Sequence, residues 1–257
     1  VVGQLKAGIF GSGDTGARKR AEQGLPLEDG QEEAVWGAIE PLGDPLAAPF
    51  SGRACVAYEY DAKNPASRDS EGRETSGGST VSGFALAPSV IRSGRGDVRL
   101  LGFSLLTEFP AKTFDDPASR ERAVRHAAST EFTQMGLAKI GAMISTLDEA
   151  MADDDGSVRK DLRMKGATAA DLAACTLEEK VVLPGETVTA IGLWDAARGG
   201  LVPNLRGKSA VVRLLPGGGA AMVAHAEKRP WGLLFFSLLW AGFAHVFIWL
   251  AWRGGFD

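Results

Sequence analysis

Side chains able to do chemistry are sparse in this chain. The histidines are His126, His225 and His245, and the cysteines are Cys55 and Cys175. Structural zinc sites draw on closely spaced Cys and His pairs, and these five residues offer no such spacing. Cys55 with His126 is the one pairing that would give a thiol nucleophile and its base. Cys55 falls in an apolar alternating stretch with no basic neighbour to lower its pKa, so it reads as a buried structural thiol. His126 sits in the charged stretch ASRERAVRHAAS and reads as solvent-facing. Asp153-Asp154-Asp155-Gly156 lacks the alternating ligands of a calcium loop and reads as a solvated turn.

GSGDTG, Gly11 to Gly16, fits G-x-G-x-x-G, but a dinucleotide site also needs a buried strand before it and a full helix after it. Lys6 and Gly8 interrupt the first, and Gly24 and Pro26 cut short the second. An enzyme built on this N-terminal arm or on Cys55 is the weakest reading. Trp36 and Trp194 read as core or interface aromatics.

His245 has different surroundings. It lies inside WGLLFFSLLWAGFAHVFIWLAW, Trp231 to Trp252, a run without formal charge that would span roughly 33 Å as a helix. About 20 apolar residues cross the hydrocarbon of a bilayer. Trp231 at one end and Trp252 at the other, with Lys228 and Arg229 before and Arg253 after, match the indole and cation belts of membrane interfaces. The run is expected to be a single transmembrane helix, with 227–257 as anchor and short tail. Cations concentrate on its N-terminal side, so the positive-inside rule puts the soluble part in the cytoplasm. A histidine within such a helix meets a neighbouring helix, a cavity or a ligand, so a partner is implied. Ala241, Gly242 and Ala244 give a small-residue face for close helix contact.

The net charge of −4 and the lack of a basic stripe argue against nucleic acid. Two cysteines make no disulfide framework. The opening VVGQLKAGIF is too short for a signal peptide and carries Lys6.

The elements ahead of the run read as an α+β domain. Residues 1–30, polar and glycine-rich with the basic triplet Arg18-Lys19-Arg20, are expected to form a flexible arm. Alternation predicts strands at 35–40 and 54–60, and further strands at 81–92 and 97–108 joined through Ser93-Gly94-Arg95-Gly96. Residues 61–80 read as a long polar loop. Asp116-Pro117 is a helix start. The helix is expected to reach about Ala150, with an apolar stripe of Val124, Ala128, Phe132 and Met135 and a second of Leu137, Ile140, Ile144, Leu147 and Met151. Thr168 and Asp171 make a capping-box pattern for a short helix. Strands follow on either side of Pro184-Gly185 and in SAVVRLLPGG. The expected architecture is a small β-rich barrel or sandwich over 31–226, with a helical insertion near 116–175.

Two stretches resemble known families. VWGAIEPLGDPLAAPFSGRACVAYEY resembles the opening of the GIDE-type, beside-a-membrane domain through Gly37, Ile39, Pro41, Gly43, Pro45, Leu46, Ala48, Pro49, Ser51, Gly52, Cys55 and Val56. Glu179 to Gly192 is similar to that family's closing strands. Eukaryotic relatives carry a zinc-binding RING after the last span, whereas Gly254-Gly255-Phe256-Asp257 follows Arg253 here. The resemblance implies a membrane-apposed binding or scaffolding module.

AGFAHVFIWLAWR resembles the membrane helix of bacterial light-harvesting β polypeptides, matching in kind at Ala241, His245, Trp249, Trp252 and Arg253. This implies ligation of bacteriochlorophyll, or of haem, through His245. A helical side chain leans over the turn before it, so a macrocycle on His245 would lie over Ala241, whose methyl leaves room. Trp249 follows one turn on, along the same face. The sequence therefore reads as a non-enzymatic, single-pass accessory subunit of a larger assembly in a bacterial inner membrane, such as a light-harvesting or reaction-centre complex. The alternative is a stand-alone GIDE-type scaffold at the membrane surface.

Overall fold

The computed structural model describes residues 13–65, 67–68, 74–75, 78–135, 153, 155–204 and 211–219. Helix α1 (Gly13–Glu22) comes first, then strand β1 (Glu32–Pro41). The short pair β2 (Leu46–Ala47) and β3 (Ala54–Cys55) precedes β4 (Ala57–Lys63), and a second short pair, β5 (Ser67–Arg68) and β6 (Glu74–Thr75), follows it. Strands β7 (Ser79–Leu86), β8 (Ser89–Ser93), β9 (Gly96–Leu100), β10 (Ser104–Leu106) and β11 (Lys112–Phe114) lead to helix α2 (Pro117–Ser129). Then come β12 (Thr133–Met135), β13 (Val158–Met164), a 3₁₀ turn (Ala169–Ala173), β14 (Thr176–Val182), β15 (Thr187–Asp195), β16 (Gly200–Val202) and β17 (Val212–Pro216).

The strands form two main layers. β1, β8, β9, β16 and β15 pair in that order, and β15 returns to pair with β1, which closes a five-stranded barrel. One edge of β15 pairs with β1 from Thr187 to Leu193; the other takes β17 along its first half and β16 along its second. The second layer is a six-stranded sheet in the order β11-β14-β4-β7-β13-β12. The layers share a core: Val35, Ile39, Ile91, Val98 and Leu201 from the barrel meet Val56, Phe84, Leu86, Val158 and Val182 from the sheet. The other face of the sheet is covered by α2 and the 3₁₀ turn, through Tyr58, Tyr60, Ala123, Ala127, Leu172 and Leu177.

Local chemistry accounts for most boundaries. Asp116 caps α2 by accepting from the Ser119 amide at 2.9 Å, with Pro117 at the first helical position. Asp171 accepts from the Thr168 amide at 2.6 Å at the head of the 3₁₀ turn. The expected connection at Ser93–Gly96 is a hairpin, with Gly96 at φ 107°. The stretch expected as one strand over 81–92 breaks at Ala87-Pro88, where the chain leaves the sheet and enters the barrel.

Several expectations are corrected. Part of the expected arm is ordered: Gly13–Glu22 is helical and packs Ala17 and Ala21 against Ala34, Ile191, Leu215 and Trp36 on the barrel exterior. The helix from Asp116 ends at Ser129, and Met135 belongs to a strand. The buried face of α2 is Ser119, Ala123 and Ala127, whereas Val124 is 41% exposed. Small residues let the helix approach the sheet while its tyrosines fill the volume. The region near 116–175 therefore mixes strands with its helix. The second stripe, Leu137 to Met151, lies outside the described residues.

Candidate functional site

A cluster of hydrogen-bonded polar side chains lies between the six-stranded sheet and α2. Alternation along β4 turns Tyr58 and Tyr60 toward the helix, and along β13 it puts Arg159, Asp161 and Arg163 on that same face. Gly83 of β7 lies across from Tyr60 on one side and Asp161 on the other. With no side chain at Gly83, the flanking residues meet above it, and the Tyr60 hydroxyl donates to Asp161 Oδ1 at 2.6 Å. A β-carbon at Gly83 would stand 2.5 Å from Tyr60 Cε1 and 2.7 Å from Asp161 Oδ1.

Hydrogen-bond directions then follow around a ring. The Tyr60 proton goes to Asp161, so the Tyr60 oxygen accepts from His126 Nε2 at 3.2 Å. That leaves His126 Nδ1 to accept from Thr130 Oγ1 at 3.4 Å, which in turn accepts from Arg159 Nη2 at 3.4 Å. Arg159 Nε closes the circuit on Asp161 Oδ2 at 2.7 Å. Burial works to raise the Asp161 pKa, but the adjacent His126, Tyr60 and Arg159 outweigh it and hold the carboxyl below its ordinary value. Burial, reinforced by the Asp161 charge, pushes the Tyr60 phenol far above its ordinary value. The ring thus keeps an ionised aspartate and a neutral tyrosine, with its protons committed internally. It locks α2 to the sheet. Arg163 adds to the lock, donating to the Ala127 carbonyl at 2.5 Å while lying over the Phe132 ring at 4.2 Å.

A second polar anchor lies alongside. Glu179, 3% exposed, accepts from the Phe50 amide at 2.7 Å and the Ser51 amide at 3.2 Å. Arg122 of α2 donates to the Phe50 carbonyl at 2.7 Å, so both ends of that residue are clasped by charge. The Phe50 ring meets Tyr60 edge-on at 5.3 Å. The clasp thus brings together Glu179 and the Pro49–Gly52 turn, which are far apart in the chain.

Cys55 is buried as expected. Burial, with the Glu179 charge adding and Arg53 opposing, raises its thiol pKa to about 12, and its Sγ donates to the Leu46 carbonyl at 3.6 Å. Arg53 is the basic neighbour that the sequence reading overlooked. His126 is not solvent-facing: its side chain is 15% exposed, and its nitrogens face Tyr60, Asp161 and Thr130 and not Cys55. Trp36 and Trp194 pack against hydrophobic clusters, as expected. Asp155 and Gly156 form the expected turn, with the Gly156 amide bonded to the Asp153 carbonyl at 2.9 Å. Among the described residues, no group of three or more His, Cys, Asp and Glu side chains could hold a metal ion.

No family model, curated protein or solved structure matches this chain. Among the described residues, no helix is long and apolar enough to cross a membrane. The run Trp231–Trp252 lies outside them, and with it Ala241, His245, Trp249, Lys228, Arg229 and Arg253. The sequence reading missed Tyr60, Asp161 and Arg159. A usable signal was VRKDLRM, where period-2 alternation puts an aspartate between two arginines on one strand face.

Proposed function

We propose that this chain is a non-enzymatic, single-pass membrane accessory subunit, whose β-rich domain works by contact beside the membrane. The uncharged run Trp231–Trp252, with His245 near its C-terminal half, carries this reading. The ring around Asp161 supports it, because its acid, phenol and imidazole are occupied with one another. His245 would meet a neighbouring helix or ligate a tetrapyrrole over Ala241, with Trp249 on the same face. Such ligation would place the subunit in a light-harvesting or reaction-centre type of assembly.

Gentle detergent extraction of native membranes tests both parts. The subunit should purify with a stoichiometric complex, and recovery as a lone monomer overturns the accessory role. His245→Leu should remove an absorption band from the purified material; an unchanged spectrum overturns ligation and leaves the helix contact.

The second reading, a stand-alone GIDE-type scaffold, is favoured by the Glu179 clasp, which joins the two segments that resemble that domain. It predicts recovery without a stoichiometric partner, and without pigment.

A further inference from the structure

Helix α1 is held lightly. It has ten residues, and an isolated helix shorter than about 12–15 residues is marginal in water. Among its described side chains, the apolar buried contacts are the methyl groups of Ala17 and Ala21. The firm attachment is a charge clamp: Arg20 Nε donates to Glu33 Oε1 at 2.9 Å, and Glu33 is fully buried. Arg95 of the β8–β9 hairpin turn donates to Glu33 Oε2 at 2.9 Å and to the Ala34 carbonyl at 3.0 Å, so Glu33 keeps a cationic partner when α1 leaves. Arg20 also pairs with Glu28 at 2.9 Å, tying down the link to β1.

The covered surface is apolar: Ala34, Trp36, Ile191 and Leu215. The chain's exit adjoins it, because a β-carbon on Gly219 would meet the Trp36 ring at 3.2 Å. From Gly219 to Trp231 an extended chain reaches at most roughly 40 Å, so this face is tethered close to any bilayer that the run enters.

We propose that α1 is a latch that an anionic lipid surface lifts. Arg18, Lys19 and Arg20 are consecutive cations, and Lys19 is exposed. Anionic headgroups attract such a cluster and compete with Glu33, Glu22 and Glu28 for it. Lifting α1 bares Trp36 and Leu215 toward the membrane. The lipid trigger rests on the membrane reading of Trp231–Trp252; the latch itself does not.

The full chain in neutral detergent tests the latch. Arg20→Gln should speed amide hydrogen exchange across Gly13–Glu22 by at least about tenfold, since such exchange follows local opening. Exchange in α2 reports that the fold is kept. Unchanged α1 exchange in Arg20→Gln, with Glu33→Gln also unchanged, overturns the latch. For the trigger, Ala17→Cys is reacted with a polar maleimide after reconstitution into phosphatidylcholine vesicles with and without phosphatidylglycerol. The native cysteines are both buried. Labelling should be faster by about tenfold with the anionic lipid, the factor that 1.4 kcal/mol of displaced equilibrium gives. Equal labelling in both vesicles overturns the trigger. Failure to incorporate into either vesicle overturns the membrane reading and the trigger with it, while the detergent arm still decides the latch.

Discussion

Tyr60 and Asp161 belong to strands that are not neighbours, yet they share a hydrogen bond of 2.6 Å across the intervening Gly83. The bond exists because Gly83 leaves a gap in the row. Gly83→Ala should destabilise the domain by about 1–3 kcal/mol, the range for overpacking a filled interior. Chemical denaturation measures it, and a stability equal to wild type would show that Tyr60 and Asp161 do not need that gap.

The same pair sets how stability varies with pH. Asp161 has its folded pKa lowered, so its contribution is present above the ordinary aspartate value of about 3.9 and disappears as pH falls through the folded pKa. Tyr60 has its folded pKa raised, so its contribution is complete below about 10 and declines as pH rises beyond that. Asp161→Asn should flatten the acid limb of the stability profile, and Tyr60→Phe the alkaline limb. Unfolding midpoints measured from acid to alkaline pH check both, and limbs as steep as wild type in the variants would refute the assignment.

Glu179 anchors the turn at Phe50 and Ser51 through its charge. Glu179→Gln keeps the shape and weakens the acceptor, and should cost about 1–3 kcal/mol. A urea titration reads the loss. If Glu179→Gln and wild type unfold together, the clasp contributes nothing.

The Cys55 thiol, with its pKa raised to about 12, should be inert in the native state. Its reaction with a disulfide reagent at neutral pH should follow the rate of unfolding and not the reagent concentration. Rapid, reagent-dependent modification would restore Cys55 as a candidate nucleophile.

Where local chemistry decides, the sequence was legible. Asp116-Pro117 and Thr168 with Asp171 announce their caps, and Ser93–Gly96 its hairpin, because each signal is complete within a few residues. What depends on distant partners was not. The α2 face was misassigned because the stripe through Val124, Phe132 and Met135 looks more apolar than Ser119, Ala123 and Ala127, and only the tyrosines of β4 make small residues the better fit. Helix α1 buries two alanines, too few to stand out in a polar segment. His126 reads as exposed among charges until β4 and β13, far along the chain, bring Tyr60 and Asp161 to it. The ring, similarly, was invisible as a set, since its members come from three separate segments.

Barrel closure has a consequence for biosynthesis. Glu32 pairs with Leu193, and the same strand, β15, is the seam for β16 and β17. A nascent chain emerging from the ribosome therefore carries β1 with one edge unsatisfied until β15 appears and closes the cylinder. Such long-range pairing is slow. An unpaired strand edge is a template for wrong pairing, so truncation after β14 should favour aggregation over a smaller working unit.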